Sequence, residues 1–200
     1  MATTITSPAD IVNVALAKIG YKLRVNSLYE GSLPAQKTLD IYGQTRDEML
    51  RVAQWPFAQR DLRGVLIKAA PPGGYFGGNV WSALYPPLPW LFEYVYPSDC
   101  ILVRAVKPAD VLVPNFSPQS HIFTVANDSN QRVILSNVPE AVITYTGQIT
   151  NPTDMPPDFI EALSAALARR LAPSISTIDA VKLEAQEEQV QTVISQKEQM

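Results

Sequence analysis

LPAQKTLDIYGQTRDEMLRVAQWPFAQRDL, residues 33–62, decides how this chain is laid out. Ala35, Leu39, Tyr42, Met49, Leu50 and Ala53 recur at the 3.6-residue period, so the first two-thirds reads as an amphipathic helix starting near Ser32, with Pro34 just inside. Pro56 disfavours helical geometry at Trp55 and removes a backbone donor, so the helix should stop there. Trp55 and Phe57 are expected to bury large apolar areas at this corner. Beyond it, about ninety residues show no helical pattern. The stretch therefore reads as a hinge between a helical layer and a β layer.

Upstream, Ser7-Pro8-Ala9-Asp10 is a helix start: Ser7 as N-cap, Pro8 at the first helical position, Asp10 at the positive end of the dipole. Ile11, Val12, Ala15, Leu16 and Ile19 supply one apolar face, and Gly20 is placed to end the helix. Downstream, residues 64–70, 90–106, 110–114, 121–126, 132–135 and 140–145 read as strands. Within them, Trp90, Phe92, Tyr94 and Tyr96 share one side, Pro97-Ser98-Asp99 turns, and Asn127-Asp128-Ser129-Asn130 has hairpin chemistry. Residues 71–89, PPGGYFGGNVWSALYPPLP, carry four Gly, five Pro and four aromatics, and so cannot hold a regular element for long. They read as a long projecting loop with Tyr75, Phe76, Trp81 and Tyr85 as its recognition candidates.

A third helix is expected to open at Met155-Pro156-Pro157-Asp158, capped by Asp154 and ended by Pro173. Phe159, Ile160, Leu163, Ala166, Leu167 and Leu171 form its wide apolar face. A fourth, from about 177, has only a thin stripe of Val181, Ala185, Val190, Val193 and Ile194 among Glu, Gln and Lys, which suits docking on a partner better than a core. The expected fold is α+β: a four-helix bundle (7–57 plus 154–200) with a mainly antiparallel β domain (58–153) inserted between helices 2 and 3.

The totals narrow the function. A hydrophobic share of 46% suits a globular chain with its own core, and a net charge of −3 argues against a basic nucleic-acid binder. Cys100 and His121 are each the only residue of their kind, so neither a disulfide nor a Cys/His zinc site can form within the chain. Cys100 lies in an apolar run and reads as a small buried hydrophobe. Nothing resembles a signal peptide or a membrane span, and the expected setting is a cytoplasm. No G-x-S-x-G, H-E-x-x-H or phosphate-loop motif occurs, and Gly73-Gly74 and Gly77-Gly78 flank aromatics rather than a Lys-bearing helix start. Asp154, Asp158 and Glu161 cluster at a helix start, where acidic residues belong for capping; Arg169-Arg170 sit near its end, where cations belong. The expectation is no catalytic residue, no cofactor and no metal.

Three segments, in order, carry a family resemblance: LDIYGQTRDEMLRVAQWPFA, WLFEYVYPSDCILVRAV, and VITYTGQITNPTDMPPDFIEALSAALARRLA. The set resembles the tail tubular protein A family, the head-to-tail adaptors of short-tailed bacteriophages. The resemblance implies a virion protein made in the host cytoplasm that forms a homo-oligomeric, commonly dodecameric ring between the portal and the tail nozzle. Tail fibres are further partners in some phages, and double-stranded DNA passes through the lumen without sequence-specific binding. It places Val181, Ala185, Val190, Val193 and Ile194 at the portal, Arg46, Asp47, Glu48 and Arg51 against a neighbouring subunit, and the 71–89 loop on the tail side. A mildly acidic chain suits such a conduit, because each neutralised phosphate would add binding that impedes sliding. The competing readings are a polysaccharide-degrading virion hydrolase using two of Asp154, Asp158 and Glu161, and a self-associating binding module outside any virion.

Overall fold

The computed structural model describes residues 5–73, 75, 83–109 and 121–175. It is not the expected four-helix bundle. Among the described residues there are three helices, and seven strands form two antiparallel sheets. The fourth helix proposed from 177, with Val181, Ala185, Val190, Val193 and Ile194, and the strand proposed over 110–114 lie outside the described residues. The chain divides into one compact unit of Met1–Met49 with Ile149–Met200, and a second of Leu50–Gln148.

In the first unit, α1 (Pro8–Lys18) begins with a reciprocal capping box. The Asp10 amide donates to Ser7 Oγ at 3.3 Å, and the Ser7 amide donates to Asp10 Oδ2 at 2.9 Å. Thr6 N–H donates to the same oxygen, and these bonds hold the Asp10 carboxyl below the ordinary Asp value of 3.8. The stability this contributes is complete above that value and is lost as pH falls below it. Ser7→Ala should cost about 1 kcal/mol at neutral pH, and the gap from wild type should narrow but not close in acid melts below the same value, because the bond from the Asp10 amide to Ser7 Oγ does not titrate. At the other end, Gly20 adopts φ +78°, Gly20 N–H donates to Ala17 O and Tyr21 N–H to Leu16 O, which is the Schellman closure. Asn13 then clamps the following connector through Val25: its amide donates to Val25 O and accepts from Val25 N–H, both at 2.8 Å.

Helix α2 (Leu33–Val52) ends before Trp55, as the proline requires, and Ala35, Tyr42 and Leu50 of its expected apolar face are buried, but the face differs from the expected one at two kinds of position. Thr38 and Thr45 are buried while Leu39 is 41% exposed. Each threonine hydroxyl donates to the carbonyl four residues back, Pro34 O and Ile41 O, at 2.7 Å, so the polar atom is satisfied within the helix and the methyl faces the core. Trp55 and Phe57 are only half-buried, and Ala58 is the fully enclosed corner residue. After Asn151 caps a 3-10 turn (Pro152–Asp154), α3 runs from 157 and is described to 175, passing through Pro173 rather than ending there. Its buried residues include Phe159, Leu163, Ser164, Ala166, Leu167, Ala168 and Leu171. Lys18 pairs with Glu161, and Arg170 bonds Thr45 Oγ1 at 3.0 Å and pairs with Glu48.

The second unit holds two sheets. Strands β1 (Gln59–Arg63), β7 (Ala141–Gly147) and β4 (Cys100–Pro108) form one, in the order β1-β7-β4. Strands β2 (Leu66–Ala69), β3 (Phe92–Val95), β6 (Gln131–Ser136) and β5 (Phe123–Asp128) form the other, in the order β2-β3-β6-β5. β1 was not anticipated. All five of its residues are exposed, so it has no alternating burial to show in sequence. Both sheets contribute to one core: Tyr94 and Ile134 from one, Val103, Val106, Ile143 and Tyr145 from the other. Phe92 and Tyr96 pack against its edge, which accounts for the alternating aromatics of β3. The β5–β6 hairpin turns at Ser129 (φ 49°) and Asn130 (φ 65°), the paired left-handed residues of a type I′ turn.

Candidate functional site

Where Phe92 and Tyr94 point into the core, the alternate residue Glu93 must point to the other face of its sheet. That position is normally solvated. Here Glu93 is 1% exposed, because β3 is an inner strand and residues 83–87 pass over the same face. The cavity there has a volume of ≈ 370 Å³. Its walls are apolar at Ala83, Pro87, Val133 and Leu135, with Tyr85 at the side and Lys68, Glu93 and Asp128 as the charged groups.

The register builds this charge cluster. Lys68 on β2 pairs directly with Glu93 on β3, and the turn-proximal end of β5 brings Asp128 to the same ammonium. Lys68 Nζ hydrogen-bonds Asp128 Oδ2 but stays 3.8 Å from Glu93 Oε2, beyond hydrogen-bond distance. Glu93 Oε2 is buried without a hydrogen-bond partner. Burial pushes the Glu93 carboxyl up, opposed by Lys68, while the Lys68 hydrogen bond holds Asp128 below the usual carboxylate range and raises Lys68. Two carboxyl groups thus share one ammonium, and the buried one gets the smaller share. None of the three was read from the sequence as a site residue; Asp128 stood out only as part of the hairpin turn. Their only signal was a charged residue at the centre of an aromatic strand, Glu93 in WLFEYVY.

No protein-family model matches the chain, and no curated protein matches it.

The residues singled out from sequence fall as follows. Of the loop candidates, Tyr75 and Tyr85 meet edge to face at 6.4 Å, and Tyr75 OH donates to Pro86 O at 2.5 Å; Phe76 and Trp81 lie outside the described residues. Tyr85 and Pro87 lie over the β2-β3-β6-β5 sheet, so this part of the expected projecting loop is folded back. Arg46 is 9% exposed and bonds Asp47, Glu48 pairs with Arg170, and the Arg51 carbonyl accepts from Arg104. Arg46 also lines a groove of ≈ 410 Å³ beside Tyr42, Leu39 and the 85% exposed Tyr29. Of the carboxylates weighed for hydrolysis, Asp154 closes the 3-10 turn, Asp158 lies in the first turn of α3, and Glu161 is paired with Lys18. Among the described residues no group of three His, Cys, Asp or Glu is arranged to hold a metal ion, and no helix is long and apolar enough to cross a membrane. Cys100 is buried, and burial pushes its thiol up, away from the reactive thiolate.

A second surface feature is apolar. Leu62, Val65, Leu66 and Ile67 are each at least 40% exposed, on two consecutive strands that are outer strands of the two sheets and, for Val65, on the link between them. Across the four-stranded sheet, the opposite outer strand β5 exposes Val125, next to Ile122. Outer strands carry unpaired backbone donors and acceptors as well, which makes them templates for association.

Proposed function

We propose that the chain is a structural adaptor subunit that assembles head to tail into a ring joining a phage portal to the tail nozzle. The observation that supports this most is the exposed apolar run Leu62, Val65, Leu66 and Ile67 on two outer strands and the link between them. A solvated monomer gains nothing from such a run, whereas a subunit buries it against a neighbour. β2 and β5 are different edges of one sheet, and association through two unlike surfaces generates rings when the rotation closes. The ordered resemblance in LDIYGQTRDEMLRVAQWPFA, WLFEYVYPSDCILVRAV and VITYTGQITNPTDMPPDFIEALSAALARRLA supplies the portal and nozzle as partners and the virion as location.

Negative-stain imaging of the chain alone and mixed with portal rings tests this. Rings stacked on the portal are the expected result, and Leu66→Lys combined with Ile67→Lys should abolish them while leaving the melting temperature of the monomer nearly unchanged. Removing residues 177–200 should leave a folded chain that no longer adds to portal. Persistent monomers in both wild-type samples would overturn the proposal.

A further inference from the structure

We propose that the cavity over the β2-β3-β6-β5 sheet is a receptor for a single organic cation, an alkylammonium or alkylguanidinium, with Glu93 as its counter-ion. Three observations converge on that chemistry. Glu93 Oε2 is buried and lacks a hydrogen-bond partner, with the Lys68 ammonium and the Asp128 carboxyl as its charged neighbours, and buried carboxylates are otherwise hydrogen-bonded. Among the described residues the ammonium within reach is that of Lys68, which is held by Asp128 and stands 3.8 Å away. The walls at Ala83, Pro87, Val133 and Leu135 are apolar, with the Tyr85 ring beside them, which suits the alkyl stem of a basic group rather than a hydrated metal ion.

A second cation balances the cluster: two carboxylates then face two positive groups. Burial pushes the Glu93 carboxyl up, and a cation seated beside it would act in the opposite direction, as Lys68 already does. The same chemistry is available from a free amine or guanidine and from a Lys or Arg side chain of a partner polypeptide.

Ligand-observed saturation-transfer NMR on the full chain distinguishes these sources. The probes are n-propylguanidinium and n-propylammonium, their neutral counterparts n-propylurea and n-propanol, and the blocked peptides Gly-Arg-Gly and Gly-Lys-Gly. Both small cations should bind and both neutral compounds should not. Glu93→Gln, which keeps shape and removes charge, should weaken cation binding at least about tenfold, with an unchanged circular dichroism spectrum. Asp128→Asn is a second variant on an exposed hairpin: it frees Lys68 to pair with Glu93 and should also weaken binding. Tighter binding of the peptides than of the free cations assigns the site to a polypeptide partner, and the reverse assigns it to a small molecule. Equal binding of neutral and cationic probes, unchanged binding in Glu93→Gln, or no cation binding at all would overturn the proposal.

Discussion

Replacing Gly64 with alanine should lower the unfolding free energy by about 2–3 kcal/mol. Gly64 lies where the chain leaves β1 and enters β2, and so passes from one sheet to the other. Its amide donates to Ala141 O at 2.7 Å, which presses the backbone against β7. A methyl group there would meet Tyr94 Cδ1 at 2.8 Å, Ala141 O at 3.2 Å and Ile143 Cδ1 at 3.2 Å. None of these can move freely. Tyr94 is 1% exposed and its hydroxyl donates to Val138 O at 2.6 Å, Ile143 is fully buried, and Ala141 O is backbone. Urea unfolding of the full chain, followed by tyrosine fluorescence and circular dichroism, gives the number. A change below about 0.5 kcal/mol, the range of an ordinary surface substitution, would show that the core yields at this point.

Arg104→Met should cost about 3 kcal/mol by the same measurement, through loss of charge-assisted hydrogen bonds to carbonyls that have no other helical partner. Arg104 reaches from β4 to the end of α2. Its Nη2 donates to Ala53 O at 2.7 Å, Arg51 O at 3.0 Å and Leu50 O at 3.4 Å, and its Nε donates to Thr146 Oγ1 at 2.9 Å. The guanidinium therefore caps the negative end of the helix and is itself positioned by β7. Arg104→Lys should recover only part of the loss, because a point donor cannot serve Thr146 and the carbonyls together. Hydrogen exchange separates this effect from general destabilisation: protection in the last turn of α2 should fall more than protection in β6. Uniform loss across both would argue against capping.

This contact also bears on the 33–62 stretch. Pro56 explains why the helix ends, and that much was readable from neighbours in sequence. It does not explain how the freed carbonyls are satisfied. The partner lies more than fifty positions later, in a strand whose sequence, CILVRAVKP, gives no hint of which way Arg104 points. β4 carries register shifts between Cys100 and Leu102 and between Val103 and Ala105, so simple alternation fails at this residue.

The bundle expectation failed for a related reason. Counting two helices before and two after the β region assumed that helical periodicity implies a shared core, and the chain beyond 175 lies outside the described residues. On α2, hydropathy ranked Leu39 above Thr38 as a core residue. The structure inverts them, because a threonine that bonds its own helix is effectively apolar towards its neighbours.

What the sequence determined by itself is whatever a residue settles with partners a few positions away. Ser7 and Asp10 close a capping box, Gly20 takes the left-handed position, Ser129-Asn130 turns a hairpin, and the aromatics of 92–96 alternate towards a core. The tertiary structure alone decided the burial of Glu93, its 3.8 Å separation from Lys68, and the capture of Lys68 by Asp128, sixty positions away. The strand order β2-β3-β6-β5 brings those groups to one face, and the electrostatic cost of leaving a carboxyl there depends on what covers it. Local chemistry fixes the elements; only their pairing fixes which carboxyl stands farther from the shared ammonium.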